Sequence, residues 1–260
     1  METLGSARVT SVSSRAWYSA SIGDFLQTQP DTIVGRLARN SDFPLLPTQK
    51  DAWLEQIGFL QDRLVGLTGA LFLEFNIPRM GRRIDAVLLL GPVVFVIEFK
   101  VGESVFERAA VDQVWDYALD LKNFHEASHS VSIIPILTAT GATKSVPFNL
   151  HADQDKVYHP ILVHPIGFRQ AVDVALRAVT GDVLDNQRWS DAPYHPTPTI
   201  IELLGLFMLS IRSKLSPATM RGRRTCASLH LALKTLWTMP ERKSANSFAS
   251  SRVCPEPAKH

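Results

Sequence analysis

The chain has 260 residues and a mass of 28.9 kDa, is 45% hydrophobic and 20% charged, and carries a net charge of +2. This is ordinary globular usage for one large domain or two small ones, and it excludes collagen-like, low-complexity and wholly disordered chains. No apolar run approaches the roughly 18 residues a membrane span needs. The N-terminus has no apolar signal core, and Cys226 and Cys254 make neither a disulfide framework nor a cysteine metal cluster. A soluble, cytoplasmic protein is the expectation.

Residues 1–14 read as a flexible extension, and 15–47 as a helical lead-in with short helical patterns at Ile22–Leu26 and Thr32–Ala38, punctuated by Pro30. Thr48 is placed to cap a helix from Asp51 to about Leu67, where Trp53, Leu54, Ile57, Leu60, Leu64 and Leu67 recur at helical spacing. Gly69 ends it. Three runs rich in Val, Ile, Leu and Phe follow, at Ala70–Ile77, Ile84–Leu90 and Val93–Val101. They are separated by Pro78–Arg83 and by Gly91–Pro92. A second amphipathic helix is expected over Glu107–His125, then a strand over Val131–Thr140, a short strand near Tyr158–His164 and a helix near Phe168–Val179. The fold class is therefore α/β, with an α-β-β-β-α-β core inside a domain covering residues 48–180.

Pro193, Pro196 and Pro198 mark residues 181–203 as a linker. Beyond it the composition breaks. Residues 204–260 hold 10 basic and 2 acidic side chains, which leaves 17 basic and 23 acidic for residues 1–203. Both cysteines fall in the basic segment, so a boundary is placed near residue 204.

Asp85, Glu98 and Lys100 carry the chemistry. Glu98 and Lys100 are two apart on one strand and point to the same face. A carboxylate and an amine on a strand otherwise made of Val, Ile and Phe are costly unless used. A hairpin centred on Gly91–Pro92 sets residues whose numbers sum to 183 opposite each other, which pairs Asp85 with Glu98. Directly opposed side chains sit about 5 Å apart, close enough to share a cation. Pro92 is awkward at the second central turn position, and a one-residue slip would separate the faces. Two carboxylates supply the hard oxygen ligands that suit Mg²⁺, with Lys100 placed to orient a water or stabilise phosphoryl charge. A plain Asp–Lys or Glu–Lys pair at a strand end has the same spacing, and spacing alone does not separate the two readings.

Asp85 followed by Glu98-Phe99-Lys100, on a hairpin between two helices, resembles the PD-(D/E)XK nuclease superfamily, and the element order resembles its restriction-endonuclease-like core. Gln113-Val114-Trp115-Asp116-Tyr117 on the next helix resembles the Q-x-x-x-Y motif of the RecB-like branch. Gln113 and Tyr117, at i and i+4, share a helix face. The resemblance implies catalytic roles for Asp85, Glu98, Lys100, Gln113 and Tyr117, with Mg²⁺ or Mn²⁺ held by Asp85 and Glu98. Ile84 stands where the superfamily's name has a proline. Glu55 is either a further acidic member or a solvated helix carboxylate. The stretches Ser19–Leu26, Ile77–Asp85 and Val111–Leu121 are similar to the front end of DUF2075 proteins, the Schlafen group 3-like DNA/RNA helicases, in which a nuclease-like domain precedes a P-loop motor. The chain contains no Gly-x-x-x-x-Gly-Lys-[Ser/Thr]. The implied function is Mg²⁺-dependent hydrolysis of DNA or RNA by a domain that lacks its helicase. The alternative is a non-catalytic module that binds nucleic acid or docks to a helicase.

The basic segment offers an explanation for the missing motor. Shifting the reading frame so that each codon takes the last base of one residue and the first two of the next allows Ser250–His260 to spell V-T-G-V-P-G-A-G-K-T, a complete Walker A loop. Thr219–Cys226 likewise permit D-A-G-A-x-N-L, another family stretch. Residues 204–260 are therefore expected to be an out-of-frame, poorly structured tail.

Three weaker candidates complete the reading. Arg79, Arg82 and Arg83 suit phosphate contacts or a solvated loop equally. His159 and His164 read as strand-end residues. Asp112, Asp116 and Asp120, four apart, read as a solvated helix face.

Overall fold

The structure is a computed structural model, and it describes residues 15–41, 46–144, 146–197 and a few positions between 200 and 208. The expected extension 1–14 and nearly all of the expected tail 204–260 lie outside these residues. The chain divides into two units, Met1–Leu203 and Leu204–His260; the features below belong to the first.

A six-stranded sheet in the order β1-β2-β3-β4-β5-β6 forms the middle layer. Its strands are β1 (Ala16–Ser21), β2 (Ala70–Ile77), β3 (Arg82–Leu90), β4 (Val93–Lys100), β5 (Ser132–Ala139) and β6 (Ile161–Val163). The first four pair antiparallel, and β4, β5 and β6 pair parallel. The helices are α1 (Ile22–Gln27), α2 (Pro30–Asn40), α3 (Pro47–Arg63), α4 (Arg108–Phe124), α5 (Phe168–Ala178) and α6 (Asn186–Asp191). The core order α3-β2-β3-β4-α4-β5 is the expected α-β-β-β-α-β one.

One sheet face is covered by α1, α2, α3 and α5, which contribute Phe25, Ile33, Trp53, Ile57 and Phe168 to a core with Phe95 and Ile97. The other face is covered by α4, whose Val114, Tyr117, Ala118 and Leu121 pack on Val94, Val96 and Val87. With both faces covered, β4 is apolar up to its last three residues, as a doubly buried strand must be.

Three local expectations are corrected. Residues 15–47 are not purely helical: Ala16–Ser21 forms the edge strand β1, antiparallel to β2. Pro30 separates the two helical patterns as expected and is itself the first residue of α2, because a proline at the first position lacks only an amide that would be unpaired anyway. The same holds for Pro47, so α3 begins there and Thr48 lies inside the first turn rather than capping it. Within the segment expected to be a linker, residues 181–197 are ordered against the domain. They carry α6, which buries Trp189 to 1% exposure against Phe72, Phe75 and His125.

The β3–β4 turn resolves the difficulty raised by Pro92. The register runs Leu90↔Val93 to Ala86↔Ile97, so the two-residue turn is Gly91–Pro92. Gly91 has φ +56°, a conformation open to glycine at the first central position. Proline then follows a left-handed residue, and the objection that applies to ordinary right-handed turns falls away. A second glycine is required for space. A Cβ on Gly69 would stand 2.0 Å from the Leu89 carbonyl oxygen, where β2 enters beside β3.

Candidate active site

The register of β3 and β4 continues to Asp85 opposite Glu98, but the backbone pairing does not. Asp85 Oδ2 instead accepts the Phe99 amide at 2.8 Å, so a side chain takes the place of a ladder partner where the two strands part. Beyond this point Glu98 and Lys100 follow Val94 and Val96 on the α4 side of the sheet.

Around Glu98 the contacts form a closed set. Glu98 Oε1 accepts from Lys100 Nζ at 3.0 Å and from Gln113 Nε2 at 2.8 Å. Gln113 Oε1 accepts from Lys100 Nζ at 3.3 Å, and Gln113 Nε2 also donates to Tyr117 Oη at 2.7 Å. The i, i+4 spacing of Gln113 and Tyr117 on α4 makes that last contact possible. Four of the five residues singled out from the sequence are thus linked, and the fifth, Asp85, is bound to the Phe99 amide near Glu98. Glu55 is exposed and outside these contacts.

Glu98 Oε2 stands apart. It is buried and has no hydrogen-bond partner, although the residue as a whole is only 4% exposed. Burial pushes the Glu98 carboxyl above the usual range, and Lys100 pulls it part of the way back. Burial, with Glu98 close by, pushes Asp85 well above the usual range. Two carboxylates that resist ionising together, one with an unsatisfied buried oxygen, are a site deficient in positive charge. The donor set, hard oxygens with one of them left uncommitted, fits a divalent cation such as Mg²⁺ or Mn²⁺.

Sequence reasoning missed a third carboxylate. Glu74 on β2 is opposite Asp85 in the β2–β3 register, where partner numbers sum to 159. It accepts from Trp53 Nε1 at 2.8 Å and from Arg83 Nε at 2.9 Å, and its charge raises the proton affinity of both Asp85 and Glu98. Its backbone sits at φ +52°, which a side chain other than glycine adopts at a cost of about 1–2 kcal/mol. The kink has a visible effect. Before it, Phe72 and Leu73 point to opposite cores; after it, Phe75 and Ile77 both join the α4-side core. The sum rule that found Asp85 opposite Glu98 finds Glu74 too, once the Ile77–Arg82 end of the β2–β3 hairpin is known.

The arginines before Asp85 divide. Arg83 is held by Glu74 and stacks over Trp17, 4.0 Å from its ring centre. Arg79 is bound to Asp120 at 2.7 Å and stacks over Phe124. Arg82 is exposed. The acidic row on α4 is corrected as well. Asp120 is not solvated but 2% exposed, held by Arg79 and by Tyr194 Oη at 2.7 Å. Tyr194 arrives from the segment expected to be a linker. A cleft lined by Pro92, Gly181, Asp185 and Trp189 lies at the turn end of β3 and β4, the end opposite Asp85 and Glu98.

No protein-family model matches the sequence, and no curated protein matches it. Among solved structures, the small subunit (R.BspD6I2) of the heterodimeric restriction endonuclease R.BspD6I is similar at 10% identity and a TM-score of 0.29, over 82% of this chain and 98% of that one. A score this low leaves the geometry above to stand by itself. Among the described residues, no helix is long and apolar enough to cross a membrane.

Proposed function

We propose that the Asp85–Glu98–Lys100 cluster is a Mg²⁺-dependent phosphodiesterase site acting on DNA or RNA. The observation that carries this reading is the buried, unpartnered Glu98 Oε2 beside Asp85. A purely structural Glu–Lys pair at a strand end would leave neither a bare carboxylate oxygen nor a second carboxylate close enough to raise its proton affinity. Asp85 and Glu98 would hold the cation, with Mn²⁺ as a substitute. Bound there, a divalent ion would supply Lewis acidity, polarising a phosphoryl oxygen and lowering the pKa of a water.

The protein's own groups have separable tasks. Lys100 presents a positive charge within reach of the position where phosphoryl charge builds up. Gln113 holds Lys100 and Glu98 at once, which fixes the distance between cation site and amine. Tyr117 fixes Gln113 in turn. Arg82 is exposed on the strand that carries Asp85 and is placed to meet a nucleic-acid phosphate.

The test is cleavage of labelled single- and double-stranded DNA and RNA by the full chain in Mg²⁺ or Mn²⁺. Asp85→Asn and Glu98→Gln are expected to reduce hydrolysis by orders of magnitude with folding retained. Lys100→Met keeps the aliphatic stem and should slow cleavage about 10²–10³-fold, the usual loss for one charge-stabilising donor, while sparing metal binding. Cleavage that persists in EDTA, or in the Asp85→Asn/Glu98→Gln double variant, rejects the site. Nucleic-acid binding without cleavage of any substrate favours the non-catalytic module.

We further propose that the chain is the nuclease-like front of a Schlafen group 3-like helicase protein, frameshifted near residue 204. This rests on the residue stretches and on the shifted-frame Walker A loop alone. Codons at Ser250–His260 that do not spell a Gly-rich P-loop in the shifted frame would end it.

A further inference from the structure

A second cluster of ligand-forming side chains lies on a small hairpin between β5 and β6. Ala152 bridges Tyr158 antiparallel, His159 N donates to His151 O at 3.0 Å, and Asp153 N donates to Val157 O at 2.9 Å. The tip is closed by Lys156 N donating to Asp153 O at 2.9 Å and by Asp155 Oδ1 accepting the Val157 amide at 3.1 Å. Lys156 at φ +66° makes the turn. This register sets His151 directly opposite His159. Asp153, two residues from His151 on the same strand, shares their face.

The side chains converge as the register requires. One ligand atom from each of His151, Asp153 and His159 lies within 4.8 Å of the other two. His159 Nε2 is 3.8 Å from Asp153 Oδ1, and the two imidazoles face each other with ring centres 5.3 Å apart. Trp115 from α4 packs against His159 at 5.0 Å between ring centres, which supports that imidazole from behind. The hairpin itself is anchored: Val157 bridges Ile133 at the start of β5, and Tyr158 N donates to Ile133 O at 2.9 Å.

We propose that His151, Asp153 and His159 bind a borderline-soft divalent transition ion, with Zn²⁺ as its representative. Two imidazoles and one carboxylate are the donor set that such ions favour, whereas Mg²⁺ takes oxygen ligands. The chain thus separates two kinds of metal: an all-oxygen site at Asp85 and Glu98, and a nitrogen-rich site on the hairpin. Metal–nitrogen bonds of about 2.0–2.1 Å require the three ligand atoms to close up slightly from where they stand. His151 and His159 are exposed, so small rotations of the imidazoles close the set on a backbone already fixed. Three protein ligands leave the fourth position of a tetrahedral ion to water or to an external ligand. Bound there, the ion would tie both strands of the hairpin together next to β6, one of the two edge strands of the sheet.

The experiment measures Zn²⁺ binding by calorimetry, and Co²⁺ binding by its visible absorption, on the full chain carrying Asp85→Asn/Glu98→Gln so that the carboxylate site does not contribute. One ion per chain is expected with a Kd below about 10 μM, an affinity near −7 kcal/mol. His151→Ala and His159→Ala should each weaken it at least tenfold, with the tetrahedral Co²⁺ band lost. Asp153→Asn should weaken it less, since the amide oxygen remains a poorer ligand. Circular dichroism confirms that the variants fold, as expected for side chains on an exposed hairpin. Zn²⁺ affinity unchanged in the His151→Ala/His159→Ala double variant, or no binding in this range, overturns the proposal.

Discussion

Asp85→Asn is expected to make the metal-free protein more stable and the Mg²⁺-treated protein relatively less so. The substitution removes one negative charge and keeps the shape, and the asparagine oxygen can still accept the Phe99 amide that Asp85 Oδ2 accepts at 2.8 Å. Two unit charges about 5 Å apart in a medium of effective dielectric about 20 repel by about 3 kcal/mol. Lys100, 3.0 Å from Glu98, offsets part of that repulsion. The net gain on neutralising Asp85 is therefore about 1–2 kcal/mol in EDTA, a rise in Tm of about 2–8 °C for a domain of this size. Mg²⁺ at about 100 times its Kd would stabilise the unmodified chain by about 2.7 kcal/mol and should do little for the variant, so the order of stabilities reverses. The assay is urea unfolding of the full chain at pH 7 with EDTA and with Mg²⁺. A variant that is less stable in EDTA, or that gains as much from Mg²⁺ as the unmodified chain, refutes the reasoning.

Three further outcomes are expected. Trp189→Ala should cost about 3–5 kcal/mol in urea unfolding, the usual price of emptying a buried aromatic site, because Trp189 is 1% exposed and donates to Ser128 Oγ at 3.0 Å; a loss under 1 kcal/mol would restore the linker reading. Arg79→Ala should cost about 1–3 kcal/mol by leaving buried Asp120 with one neutral donor, and Tyr194→Phe about 1 kcal/mol, both read by thermal unfolding. His125 is fully buried, and burial, with Arg15 and His129 nearby, lowers its pKa to about 3. The unfolded chain takes up this proton below about pH 6.5 and the folded chain does not, so stability should fall by up to about 1.4 kcal/mol per pH unit between 6.5 and 3. His125→Gln should flatten that limb of the stability–pH curve, and an unchanged limb would assign the acid sensitivity elsewhere.

The sheet's centre was legible because its strands are buried on both faces and read as continuous apolar runs. Ala70–Ile77 agrees with the expected strand at both ends, and the Gly91–Pro92 turn fixed the register that sets Asp85 against Glu98. What the sequence hid depends on distant partners. Ala16–Ser21 becomes a strand only by pairing with β2, whose residues lie far along the chain, Ser21 opposite Ala70 and Ala16 opposite Phe75. Asn186–Asp191 is short and polar apart from Trp189, and its burial is decided by Phe72, Phe75 and His125. Asp112, Asp116 and Asp120 look alike at i, i+4 spacing, yet only Asp120 meets Arg79 and Tyr194. The hairpin that gathers His151, Asp153 and His159 has no apolar alternation to announce it.

Glu74 joins the two halves of the argument. Nothing in the run Ala70–Ile77 requires a kink, since an unbroken pleat would have continued the β2–β3 ladder. A left-handed glutamate in mid-strand costs about 1–2 kcal/mol, and the strain is retained where Asp85 faces it and where β3 parts from β4. The kink holds Glu74 between Trp53 and Arg83, so its own charge is matched. Among the described residues, the cation paired with these two carboxylates is Lys100, on Glu98. Strain that compensates one carboxylate and leaves its two neighbours short of positive charge is the pattern expected where a cation is to be bound. Glu74→Gln should therefore leave Mg²⁺ binding at Asp85 and Glu98 intact while releasing Arg83. Mg²⁺ affinity lost as completely as in Glu98→Gln would instead make Glu74 a ligand.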